Sequence, residues 1–242
     1  MSLVATPAAP DSVPDLSWIV PMYRTATSLP ELVQRIEATA ACCGASSEIV
    51  LVDDACPEGS ARGAARLPPA GPTTVRILRL ERNQGQDGAL REGLRACRGR
   101  WAVLLDADLQ DPPEAVGQLW EARSAGFDAV FARRTGAYQT TGRLHTSRLY
   151  RRGLAWIGGL PYGACLFVML SRPMIDAVAA TRSPRITILA ALAGAGRNFA
   201  IVPVQRSKRR HGRSAYSSRA RLAKAARSLW QTFLARRLGR SL

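Results

Sequence analysis

The chain has 242 residues, enough for one large domain with a well-buried core, and 47% of them are apolar. Its five cysteines are odd in number and show neither CxxC spacing nor histidine partners, which argues against a disulfide framework or a zinc site. A net charge of +16 calls for an anionic partner, and the cysteine usage fits a reducing, cytoplasmic compartment.

Met1–Asp15 holds Pro7, Pro10 and Pro14 and lacks the charged start and apolar centre of a signal peptide, so residues 1–15 read as a flexible tail. Ser17–Pro21 predicts a buried strand and Met22–Thr27 a loop. Ser28 and Glu31 have capping-box spacing, ahead of a helix with Leu29, Leu32, Val33 and Ile36 on one face. Glu48–Val52 is a second strand, ending in Asp53 and Asp54 before a Pro-Gly loop and a small-residue helix around Gly59–Leu67. Val75–Leu80 is a third. Asn83–Gln86 then turns into helix Asp87–Cys97, and Trp101–Leu105 forms a fourth strand.

That strand opens into VLLDADLQDPPE (Val103–Glu114), where Asp106 and Asp108 follow an apolar run. Asp108 and the amide oxygen of Gln110 are hard oxygen ligands, suited to Mg²⁺ or Mn²⁺ completed by substrate phosphates. Taken alone, Asp-x-Asp is equally the composition of a solvated turn. Pro112 and Pro113 end the strand and open helix Pro113–Ser124, with Asp111 in the place of an N-cap. Strands alternating with helices of about ten residues imply an α/β fold with a mostly parallel sheet covered on both faces. Ligands bind such sheets at the carboxyl ends of the strands, where Asp53, Asp54, Asn83, Asp106 and Asp108 all fall. The first strand is not followed by GxGxxG, which argues against a dinucleotide-binding domain.

Strand Phe127–Ala132 leads into the basic stretch Arg133–Arg152. The uncharged window Gly153–Ser171 approaches the length of a membrane span, but Gly158-Gly159-Leu160-Pro161-Tyr162-Gly163 would break a helix there. Two buried elements joined by a turn are expected, and no transmembrane segment. Strand Ala164–Leu170, helices Pro173–Ala180 and Ile186–Ala195 and strand Phe199–Val204 complete the body, followed by a basic loop over Gln205–Ser217. Arg219–Arg236 places Leu222, Ala226, Leu229, Trp230 and Phe233 on one helical face and Arg221, Lys224 and Arg227 on another. This pattern suits a membrane-surface helix and equally one packed on the domain's own core. No acidic residue follows Asp176, whereas 15 lysines and arginines do. Nucleic acid, an anionic membrane face and phosphorylated ligands all answer such a field, but no nucleic-acid-binding module is recognisable.

Ile19–Tyr23, Val50–Asp54, Arg82–Gly85, Leu104–Glu114 and Val202–Val204 with Gly212–Ser217 carry a resemblance. In order and spacing they resemble the family-2 inverting glycosyltransferases of GT-A fold, and among these the polyprenyl- and dolichol-phosphate sugar transferases. The resemblance implies that Pro21, Tyr23, Asp53, Asp54 and Asn83 cradle the nucleoside of a UDP- or GDP-linked sugar. It implies that Asp106, Asp108 and Gln110 hold the metal on its diphosphate, and that Ser147, Arg148, Arg213 and Ser214 grip the phosphate of a lipid acceptor. Asp106, Asp108, Arg148 and Arg213 are then the catalytic set. The chain departs from the family pattern at Arg24-Thr25, at Ala55-Cys56 and at Phe167, where the family commonly has Asn-Glu, Gly-Ser and an arginine.

The residues bear independently on the acceptor. A hydroxyl acceptor needs a general base, and beyond Asp128 only Asp176, His145 and His211 offer one. A phosphomonoester arrives as an oxyanion and needs arginines instead, which this region has. The domains are therefore expected as a tail (1–15), a GT-A domain (16–217) and a basic amphipathic helix (218–242). The chain is expected to lie peripherally on the inner face of the membrane, without nucleic acid. A soluble transferase acting on a hydroxyl, with Asp176 or a histidine as base, stays open, as does a non-catalytic polyanion binder. A membrane-protein partner and a homo-oligomer are both admitted.

Overall fold

The computed structural model describes residues 2–5, 12–25, 27–65, 73–135, 152–181, 183, 186–196, 198–206 and 226–234. In chain order the elements are β1 (Ser2–Ala5), β2 (Leu16–Met22), α1 (Leu29–Cys42), β3 (Ser47–Asp53), α2 (Ser60–Ala64) and β4 (Thr74–Arg79). Next come α3 (Gly85–Ala96), β5 (Trp101–Leu104), α4 (Val116–Ala122, between two short 3-10 turns) and β6 (Ala129–Thr135). The remainder are α5 over residues 152–158, β7 (Val168–Ser171), α6 (Arg172–Ala179), α7 (Ile188–Ala195), β8 (Phe199–Gln205) and α8 over residues 226–234.

The strands form one sheet in the order β1-β4-β3-β2-β5-β7-β6-β8. β4, β3, β2 and β5 run parallel, as their continuous apolar runs predict. β2 is buried on both faces: Trp18 and Val20 enter one layer with α1 and α4, and Ile19 enters the other with α3, α6 and α7. α3 crosses β2 at Gly93, where an added Cβ would stand 2.3 Å from Ile19 Cγ2, so only a glycine admits this approach.

Several expectations change. Within the supposed flexible tail, β1 pairs antiparallel with β4, Ser2 opposite Arg79, and covers an edge whose backbone groups would otherwise be unpaired. β7 runs antiparallel between β5 and β6. The helix expected over Gly59–Leu67 is the short α2. Ser28 sits at the N-cap of α1 but makes no capping bond. Its hydroxyl instead meets the Ala107 carbonyl oxygen at 2.6 Å, tying α1 to the Asp-x-Asp loop.

The window Gly153–Ser171 does split into α5, a turn through Gly159 (φ +66°) and β7. Among the described residues no helix is long and apolar enough to cross a membrane. α8 docks on the domain through buried Ser228 and Thr232: Gln231 Oε1 accepts from the Thr187 backbone amide, and Leu229 reaches Gly153 of α5. Trp230 on the same helix is 62% exposed and Trp156 on α5 86% exposed.

Candidate active site

The carboxyl ends of β2, β3, β4, β5, β6 and β8 lie along one edge of the sheet, and the loops leaving them hold the polar residues. Arg24, Ala55 and Leu109, in the loops after β2, β3 and β5, have φ of +57°, +50° and +57°. A non-glycine residue in this left-handed region costs about 1–2 kcal/mol. Backbone strain therefore gathers at this edge, as it does at functional sites.

Not every acid here faces outward. Asp53 is fully buried and accepts from the Cys56 amide at 2.8 Å and the Ala61 amide at 3.2 Å, fixing its own loop. Asp54, also buried, accepts from the Gln84 amide at 2.6 Å and so joins the loops after β3 and β4. Asn83 continues that tie, donating to the Asp54 carbonyl at 3.2 Å. Pro21 is half-buried at the end of β2, and Tyr23 is exposed with the Arg24 guanidinium 5.5 Å from its ring centre. The structure thus gives Asp53 and Asp54 a loop-shaping part and leaves Tyr23 as an open aromatic face.

The loop after β5 is held from several sides. Asp106 Oδ1 accepts from Gln86 Nε2 at 2.6 Å, while its Oδ2 stands 3.7 Å from Arg134 Nη2. Burial pushes the Asp106 carboxyl above the ordinary aspartate range, with Arg134 opposing the shift and Asp111 and Asp108 adding to it. Asp108 Oδ1 accepts from the Gln110 amide at 3.1 Å. The Gln110 side-chain oxygen accepts from Arg206 Nη2 at 3.0 Å.

Asp111 is no helix cap. Pro112 takes that place, and Asp111, only 1% exposed, accepts from Arg134 Nε at 3.0 Å and again from Arg134 Nη2. Arg206 Nε lies 3.4 Å from the same carboxylate. A buried aspartate must be paired, and two arginines from the ends of adjacent strands β6 and β8 do so. Burial works against the Arg134 charge, but its acidic neighbours outweigh burial and raise its pKa.

Asp106, Asp108 and Gln110 offer two carboxylates and an amide oxygen, all hard donors on one tight loop. Among the described residues no three histidine, cysteine or acidic side chains cluster as a closed metal cage. Hard oxygen donors of this kind suit a divalent cation whose remaining positions are filled by a ligand's phosphates. Asp176 is paired with Arg172 at 3.1 Å, and Arg172 bonds the Cys97 and Gly99 carbonyls below the start of β5, at the far edge of the sheet. It cannot serve as a base at this edge. Ser147, Arg148, Arg213, Ser214, His145 and His211 lie outside the described residues. Gln86, Asp111, Arg134 and Arg206 were not expected in the site, although the strand-end rule that found Asp106 would have found both arginines.

The model of the family described as "Glycosyl transferase family 2" matches residues 17–178. Undecaprenyl-phosphate 4-deoxy-4-formamido-L-arabinose transferase of Pseudomonas fluorescens is 34% identical over 207 residues, 84% of this chain and 60% of the relative. The enzyme of that name from Klebsiella pneumoniae is 32% identical, over 85% of this chain and 63% of its own. The chain thus spans about 60% of the length of these relatives. Among solved structures, a mannosyltransferase from Pyrobaculum calidifontis with GDP-Man and Mn²⁺ is similar at a TM-score of 0.64 and 17% identity, covering 97% of this chain and 73% of that one. Glucosyl-3-phosphoglycerate synthase of Mycobacterium tuberculosis, with Mn²⁺, UDP-glucose and phosphoglyceric acid, reaches 0.61 at 16% identity, covering 92% and 79%. With its sheet, its strand-end loops and more than half of its length matched by the family model, the chain belongs to glycosyl transferase family 2, with the GT-A fold of its structural neighbours.

Proposed function

We propose that the protein transfers a sugar from a UDP- or GDP-linked donor to a polyprenyl phosphate at the surface of a membrane. The observation that carries this reading is the edge that gathers Asp106, Asp108 and Gln110 beside two arginines while Asp176 is bound at the opposite edge. A divalent cation, Mg²⁺ or Mn²⁺, held by Asp108 and Gln110 with Asp106 would neutralise the charge that develops on the departing diphosphate. Tyr23 offers a face for the base, and the loops braced by Asp53, Asp54 and Asn83 shape the nucleoside end.

A phosphate acceptor is already a nucleophile and needs positive charge to orient it, which suits a strand-end region rich in arginine. The names of the relatives point to the same acceptor class. Ser147, Arg148, Arg213 and Ser214 are the residues proposed to bind its phosphate.

Membrane association is supported by Trp156 and Trp230, exposed on the adjoining helices α5 and α8, in a chain without an acid beyond Asp176. An indole is suited to the headgroup layer and each nearby basic side chain adds attraction to anionic lipid.

The test is thermal unfolding with UDP, GDP and Mn²⁺, comparing the protein with Asp108→Ala. A site filled at a hundred times its dissociation constant adds about 2.7 kcal/mol. Stabilisation by one nucleotide, lost without metal and in Asp108→Ala, supports the donor site; none with either nucleotide sinks it. Product formation on polyprenyl phosphate, and flotation with anionic but not neutral vesicles, then decide the acceptor and the membrane.

A further inference from the structure

Arg206 directly follows β8, and its side chain reaches two groups at once. Nη2 donates to Gln110 Oε1 at 3.0 Å and Nε faces Asp111 Oδ1 at 3.4 Å. Asp111 is itself held by Arg134, so the Arg206 guanidinium is fixed in place. The Gln110 oxygen it occupies is the one assigned to the cation. An amide oxygen has a second lone pair, so geometry alone leaves room for both. Charge does not. A divalent ion at that oxygen would stand beside a fixed guanidinium in a half-buried site, where like charges repel more strongly than in water.

The local balance points the same way. Among the described residues Asp106 and Asp111 are paired with Arg134, and Asp111 with Arg206 as well, so much of the negative charge beside Gln110 is already balanced before a bare divalent ion arrives. A cation carried on a nucleoside diphosphate brings its own negative oxygens, and to these the same guanidinium is attractive. We propose that Arg206 makes the site reject the bare cation and accept it as the complex with a nucleoside diphosphate. This rests on the nucleotide-sugar reading above and adds to it a positioning residue that sets the form in which the metal enters.

Mn²⁺ binding to the full chain, followed by electron paramagnetic resonance of the free ion, tests it with and without UDP or GDP. The protein is expected to bind bare Mn²⁺ weakly and to gain at least tenfold when the nucleotide it recognises is present. Arg206→Met should bind bare Mn²⁺ about tenfold more tightly and the Mn²⁺–nucleotide complex more weakly, whereas Arg206→Lys, which keeps the charge, should stay close to the parent. Equal affinity of the unaltered protein for Mn²⁺ with and without nucleotide would overturn the proposal, and needs no folded variant. So would a bare-ion affinity that Arg206→Met leaves unchanged or lowers, in a variant with a normal melting curve. If the unaltered protein binds Mn²⁺ with neither nucleotide, the donor-site reading itself fails and the role of Arg206 falls with it.

Discussion

Ala55 holds a conformation that glycine adopts without strain, directly after the Asp53-Asp54 pair. Ala55→Gly is therefore expected to raise stability by about 1 kcal/mol, the left-handed strain outweighing the added freedom of the unfolded chain. Denaturant unfolding monitored by circular dichroism would read this as a higher midpoint at unchanged slope, and a lower midpoint would contradict it. At this scale the sequence was only partly legible. Asp106, Asp108 and Gln110 announce themselves by spacing, but the partners of Asp111 do not. Next to Pro112 it has the local features of a helix cap, and its real partners, Arg134 and Arg206, arrive from two other strands. Ser28 misleads in the same way, since the carbonyl it bonds belongs to Ala107. A polar side chain takes whatever partner the tertiary fold delivers, and that is not encoded within a few residues of it.

The elements were easier to read, because β2 to β5 alternate with helices and carry continuous apolar runs. Strand direction was not legible: β7 has the same apolar character as its parallel neighbours, yet it pairs antiparallel with both β5 and β6. β1 is four residues long, too short for any periodic signal. Close approach of elements was hidden too. Gly93 looks like a weak point in a helix, yet it is where α3 meets β2. Gly93→Ala should lower stability by about 1–3 kcal/mol through overpacking against Ile19 and Val52, despite alanine's better helix propensity. A calorimetric melting temperature equal to or above that of the parent would show that α3 can shift away.

Across the whole molecule, the two edges of the sheet are built differently. Opposite the site, Glu48 is 1% exposed and accepts from Ser17 Oγ at 2.7 Å, the Arg98 amide at 2.6 Å and Arg76 Nη1 at 3.1 Å. Burial alone would raise its pKa, but the Arg98 amide, Ser17 and Arg76 hold it below the ordinary glutamate value. The ionised form thus stabilises the fold fully above the unfolded value of about 4.3, and that contribution is lost as pH falls through the lower folded value. Glu48→Gln should cost about 3 kcal/mol at pH 7, with the difference from the parent shrinking in acid below about pH 4. Urea unfolding across this range checks it, and a difference independent of pH would remove Glu48 from the acid response.

The placement of the indoles has a spectroscopic consequence. Of the five tryptophans, Trp18 is sealed in the core and Trp101 and Trp120 are partly buried, whereas Trp156 and Trp230 are exposed on α5 and α8. The buried and exposed indoles should answer opposite events: unfolding wets Trp18 and moves its emission to longer wavelength, while the proposed docking on a bilayer would dry Trp156 and Trp230 and move theirs to shorter wavelength. The sign of the emission shift would thus separate the proposed surface attachment from loss of structure in one titration without a label.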